Sequence, residues 1–225
     1  MIIAFLGKGG SGKSTMATAM VNYLLTQGKK VLAIDADHNM DLSYNLGADP
    51  KIFLGTDPSA IKRHVGVSDT DTFAKTLTYA QEHNAIFSIN PADSFTEGIT
   101  TQVSPTLRLM TAGPHTDIVR SGEHCSHSLA APLKVYLPLL KLAQNEAVVI
   151  DERAGTDPVA TGILKGVDLA VIVREGTVNS TRVADQIAHE LELAQVPYLT
   201  VDNKRHGVEA DTQNAIETVE KFFRQ

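Results

Sequence analysis

The chain has 225 residues, a net charge of −6, a pI near 5.7 and one cysteine, Cys125. That length suits one domain over 1–225, with no repeat or linker to divide it; the acidic balance disfavours nonspecific DNA binding, and one cysteine excludes an internal disulfide. No apolar run is long enough to span a bilayer, and Met1 leads straight into a strand rather than a signal peptide, so a cytoplasmic protein is expected.

In chain order, Ile2 to Leu6 is apolar throughout, as in a parallel strand covered on both faces. Gly7 and then Gly12-Lys13-Ser14 match G-x-x-x-x-G-K-[ST], the P-loop, and Met16, Met20, Tyr23 and Leu24 recur at helical spacing until Gly28. A loop at this strand-to-helix junction directs backbone N–H groups at an anion. Gly7, Gly9, Gly10, Ser11, Gly12, Lys13, Ser14 and Thr15 are therefore expected to cradle the phosphates of ATP. Lys13 neutralises the β- and γ-phosphates, and the Ser14 hydroxyl completes a Mg²⁺ shell.

Val31 to Ile34 is a second buried strand, and "IDADHNMDLS" places Asp35, Asp37 and Asp41 after it. A nucleoside triphosphatase needs one carboxylate to orient the attacking water and others near Mg²⁺, although loops favour aspartate in any case. Further along, "DTFAKTLTYAQEH" is expected to be helical, Ile86 to Ile89 a short strand and Pro91 to Pro105 a loop. "LRLMTAG" resumes a strand, and "SLAAPLKVYLPLLKLA" reads as a helix interrupted by Pro132 and Pro138. "AVVID", "DLAVIVRE" and "VPYLTVDN" supply three more buried strands. The alternation predicts an α/β fold: a three-layer, doubly wound, mostly parallel sheet with helices on both faces. Asn203 ends the last strand. The guanine-reading pattern N-K-x-D fails at its fourth position, His206, so Asn203 is expected to meet adenine.

"GKGGSGKST" resembles the deviant Walker A motif of the MinD/ParA class of P-loop ATPases, which also contains the nitrogenase iron protein and nickel-insertion ATPases. The resemblance implies a nucleotide-dependent homodimer in which Lys8 reaches the partner's phosphates. The spacing Asp37-x-x-x-Asp41-x-Ser43 resembles switch I of that class, implying that Asp37 positions the water and Asp41 lies near the metal; His38 stands where a proline is usual. "DERAG" is similar to switch II, which makes Asp151 the Walker B aspartate near Mg²⁺, with Arg153 at a variable position.

"GPHTDIVRSGEHCSHS" resembles the metal-binding segment of CooC-type maturation ATPases, with C-x-C replaced by Cys125-Ser126-His127. Two-fold symmetry doubles this C-x-H pair to a Cys₂His₂ set suited to Zn²⁺ or Ni²⁺, with His115 and His124 nearby. Otherwise Cys125 is a small packed apolar side chain and His127 a surface residue. The expected function is thus an ATP-dependent dimeric switch, CooC-like with an unknown client protein, or else a ParA- or MinD-like positioning ATPase. A small-molecule ligase on the same fold is a third reading. A MinD relative should end in a basic amphipathic membrane helix, but "NAIETVEKFFRQ" sets Glu217 and Glu220 against Lys221 and Arg224, and Ile216, Val219 and Phe223 are expected to pack on the core.

Overall fold

Strands with little polar character have nowhere to go but the middle of a layered protein. In the computed structural model, which describes residues 1–122 and 125–224, Ile2–Gly7 (β1) and Glu146–Asp151 (β5) are buried along their whole length. Lys30–Asp35 (β2), Leu107–Thr111 (β4), Leu169–Glu175 (β6) and Tyr198–Asn203 (β7) run parallel to them. Thr100–Ser104 (β3) closes one edge antiparallel to β4. The order is β3-β4-β2-β5-β1-β6-β7, the mostly parallel sheet that the alternation predicts.

Successive side chains of a strand point to opposite faces, and the two cores divide accordingly. Ile3 and Phe5 join Met16, Met20 and Leu24 of Lys13–Thr26 (α1), and Ala215, Ile216 and Val219 of the C-terminal helix Val208–Phe223. Phe223 packs against this core as expected. Ile2, Ala4 and Leu6 face the other core, with Leu133 and Tyr136 of the helix Leu133–Leu139 and Ile187 and Leu191 of Val178–Leu193. Pro132 starts the first of these two helices and Pro138 lies in its last turn, so neither breaks it in the middle.

Two expectations fail between Ile86 and Pro105. Ile86 to Ile89 joins no sheet; Phe87 makes a single parallel bridge to Leu140, and its buried ring lies among Phe95 and Tyr136. The stretch read as a loop holds the helix Ser94–Ile99 and β3. Asp93 caps that helix, accepting from the backbone N–H groups of Phe95 (2.9 Å) and Thr96 (3.0 Å), and also from Ser88 N (2.8 Å) and the Thr96 hydroxyl (2.6 Å). Asp93→Ala orphans all four donors and is expected to destabilise the fold by about 2 kcal/mol. Urea unfolding with an unchanged m-value measures the loss; a midpoint equal to wild type refutes the capping role.

Candidate functional site

Parallel strands deliver their C-terminal ends to one edge of the sheet, where chemistry collects. Here Gly7, Asp35, Asp151, Glu175 and Asn203 end their strands on that edge. Asp151 is in register with both Phe5 and Asp35.

The loop after β1 turns into α1 through two tightly fitted glycines. A Cβ on Gly7 would stand 2.4 Å from the Val173 carbonyl oxygen, and one on Gly12 (φ 94°) would stand 2.1 Å from Asn203 Nδ2. Asn203 is buried, and its amide nitrogen donates to the Ser11 carbonyl at 2.7 Å. It therefore braces the loop from below, a duty the sequence reading did not foresee. Lys204 holds the rim, with Nζ 2.7 Å from Gly10 O and 2.7 Å from Glu175 Oε2. Lys8, at the same rim, lies 3.4 Å from Glu175 Oε1. Lys13 is buried at the start of α1, and Ser14 and Thr15 follow it there.

The carboxylates beneath the loop are unusually dry. Asp35, Asp151 and Glu152 are all at most 1% exposed. Asp35 Oδ2 accepts from Ser43 N (2.8 Å) and Ser43 Oγ (2.7 Å), while its Oδ1 has no hydrogen-bond partner among the described residues. The same holds for both Asp151 oxygens and Glu152 Oε1, although the Ser14 hydroxyl lies beside Asp151 without good hydrogen-bond geometry. Burial pushes Asp151 up to about 8, Glu152 to about 7 and Asp35 to about 6. The Ser14 hydroxyl and then Lys13 oppose the rise at Asp151, Arg153 chiefly opposes it at Glu152, and Ser43 opposes it at Asp35. Orphaned hard oxygens next to a hydroxyl fit a divalent cation such as Mg²⁺.

Asp37 is half-buried on the loop after β2, where its Oδ1 accepts from Asn39 N at 3.1 Å. Asp41 is exposed at the start of the short helix Asp41–Asn45. Gly155 N donates to Gly7 O at 3.2 Å, joining the segment after Asp151 to the P-loop. Arg153, in that segment, is buried. Asp35 and Glu152 entered no assigned role in the sequence reading; a carboxylate closing an apolar run, and a second directly after another, were the available signals. Cys125 is exposed, so it is not a packed apolar side chain. No group of three or more His, Cys, Asp or Glu suited to a metal occurs among the described residues. His124 and the side chain of His127 lie outside them.

The family model described as the CobQ/CobB/MinD/ParA nucleotide binding domain matches residues 2–225. An ATP-binding protein of Methanocaldococcus jannaschii is 30% identical over 192 residues, covering 83% of this chain and 72% of that protein. The carbon monoxide dehydrogenase accessory protein CooC of Rhodospirillum rubrum is 30% identical over 188 residues, covering 83% of this chain and 67% of that one. Among solved structures, a ParA family ATPase from Chlorobium tepidum aligns with a TM-score of 0.59 at 18% identity, over 96% of this chain and 79% of that one. The septum site-determining protein MinD of Pyrococcus horikoshii, complexed with Mg-ADP, gives 0.57 at 21% identity, over 94% and 76%. These two likenesses establish the fold. No helix among the described residues is long and apolar enough to cross a membrane.

The dry carboxylates make stability depend on pH in a definite sense. Their folded values lie above the ordinary 3.8 of Asp and 4.5 of Glu, so between about 4 and 8 the folded chain holds protons the unfolded chain has released. Stability contributed by the protonated forms is then lost as pH rises through that window. The Met1 amino group, lowered by burial, acts in the opposite sense but is outnumbered. The thermal midpoint of nucleotide-free protein in chelator is expected to fall between pH 5 and 8, and less so in Asp151→Asn. A midpoint that rises over that range contradicts the assignment.

Proposed function

The chain belongs to the CobQ/CobB/MinD/ParA nucleotide-binding domain family and is an ATPase of that class; from this premise we propose that it works as a nucleotide-dependent homodimer in metalloenzyme maturation. The observation that carries its nucleotide-binding part is the set of buried carboxylate oxygens of Asp35, Asp151 and Glu152 with no hydrogen-bond partner among the described residues, near a glycine-shaped loop bearing Lys13. In this reading Lys13 and the backbone N–H groups of the loop bind the ATP phosphates. Ser14, with Asp151 and Asp41, would hold Mg²⁺, which when bound neutralises charge on the phosphate oxygens.

Asp37 orients a water for attack on the γ-phosphorus. The bond from that phosphorus to the β-bridging oxygen breaks, giving ADP and phosphate, and negative charge grows on the leaving oxygen. Lys8 supplies positive charge there from the partner subunit; its partly exposed side chain and rim position support that reach. Asn203 fixes the loop, leaving its Oδ1 for the adenine contact.

The likeness to the CooC accessory protein supports metal delivery as the duty, with Cys125 and His127 of two subunits forming one site for the transported Zn²⁺ or Ni²⁺. The exposure of Cys125 is compatible with this, since a site shared between subunits needs its thiol at the surface.

Lys13→Ala is expected to abolish nucleotide binding, whereas Asp37→Asn binds ATP without turning it over. Mixing Asp37→Asn with Lys8→Ala subunits should restore turnover absent from either variant alone, because one site of each hybrid joins an intact Asp37 to a trans Lys8. No recovery on mixing means that Lys8 acts within its own subunit. For the cargo, metal titration with light scattering should give one metal per dimer, lost in Cys125→Ser; one metal per monomer overturns the shared site.

A further inference from the structure

His38 and His115 come from different loops, yet their rings stack with centroids 4.2 Å apart and planes at 19°. His38 Nδ1 is buried and stands 3.2 Å from Asp37 Oδ1, without the alignment of a hydrogen bond. We propose that His115 is a positioning residue for ATP hydrolysis, its ring holding His38 so that the Asp37 carboxylate keeps the orientation needed to aim water. The inference rests on the reading of Asp37 given above.

His115 is suited to act as a fixed platform. The segment that carries it leaves β4 beside the end of β2, with Ala112 N donating to Asp35 O at 2.8 Å. Gly113, at φ 92°, is packed so closely on Phe53 that a Cβ there would stand 2.5 Å from Phe53 Cβ. His115 therefore starts from backbone anchored to the same strand that delivers Asp37.

His38 is the part left to be fixed. Met40 N donates to Asp37 O at 3.2 Å, closing a four-residue turn with His38 in its second position. That position accepts almost any residue, and proline best, because proline sets φ in advance. A histidine there has free backbone and a rotatable ring. Its ring direction decides how Nδ1 meets Asp37 Oδ1, and the stack on His115 is a ring contact that bears on that direction. The backbone turn meets that same oxygen, through Asn39 N at 3.1 Å, so the turn and the ring converge on Oδ1.

The test is turnover and nucleotide affinity in a short variant series. His115→Ala is expected to lower kcat about tenfold, the scale of a modest misplacement of a reacting group, while ATP affinity stays at the wild-type value. His115→Phe, which keeps a stacking ring, should restore most of that loss. In a His38→Pro background, where the turn is preset and the ring is gone, His115→Ala should have little further effect. Unchanged kcat in His115→Ala, no rescue by His115→Phe, or an equal loss in the His38→Pro background each overturns the proposal. Asp37→Asn separates the two levels. If it abolishes turnover while His115→Ala does not, only the positioning role fails; if it turns over normally, the Asp37 reading fails and takes this inference with it.

Discussion

Carboxylates buried from solvent beside a P-loop are the constraint around which this molecule is arranged. Each of Asp35, Asp151 and Glu152 sits at or just beyond the end of a strand whose middle residues are apolar, and each carries at least one oxygen atom with no hydrogen-bond partner among the described residues. Burying a charge in this way is costly unless something neutralises it. Lys13 does so in part at Asp151, and Arg153 chiefly at Glu152, while burial raises both groups above their ordinary values. What a folded core alone would avoid, a bound divalent cation would offset.

The loop above is held by shape as much as by charge. Gly7 and Gly12 leave no room for a side chain because Val173 and Asn203 come from β6 and β7 to meet them. Two strands distant in sequence thus fix the curvature of the segment following β1, and α1 packs its Met16 and Met20 into the core directly behind. Preorganisation of this kind places the backbone N–H groups before a phosphate arrives, so that binding does not have to order them.

Much of this was legible in the sequence. The P-loop, the strand-end aspartates and the buried strands are written in local patterns: fixed glycine spacing and uninterrupted apolar runs. What stayed hidden depends on approach between distant segments. The bracing of Gly12 by Asn203, the Ser43 bonds to Asp35 and the stack of His38 on His115 have no local signature. The edge strand β3 escaped notice for another reason. Its Thr-Thr-Gln-Val-Ser sequence lacks the apolar run of its neighbours because one side of an edge strand faces away from the sheet. The neighbouring helix was missed because its capping signal, Asp93, stood in a stretch rich in loop-forming residues.

Glu175 contacts two lysines at once, and the two contacts are unequal. Lys204 approaches closely and does most to hold the carboxylate below its ordinary value, while Lys8 stands farther off and adds less. Departure of Lys8 from this berth leaves Glu175 neutralised, since Lys204 stays bonded both to it and to the Gly10 carbonyl. Lys8 is thus held more loosely than Lys204: swinging it away would strand no bare anion, and the loop would keep the tie through Lys204.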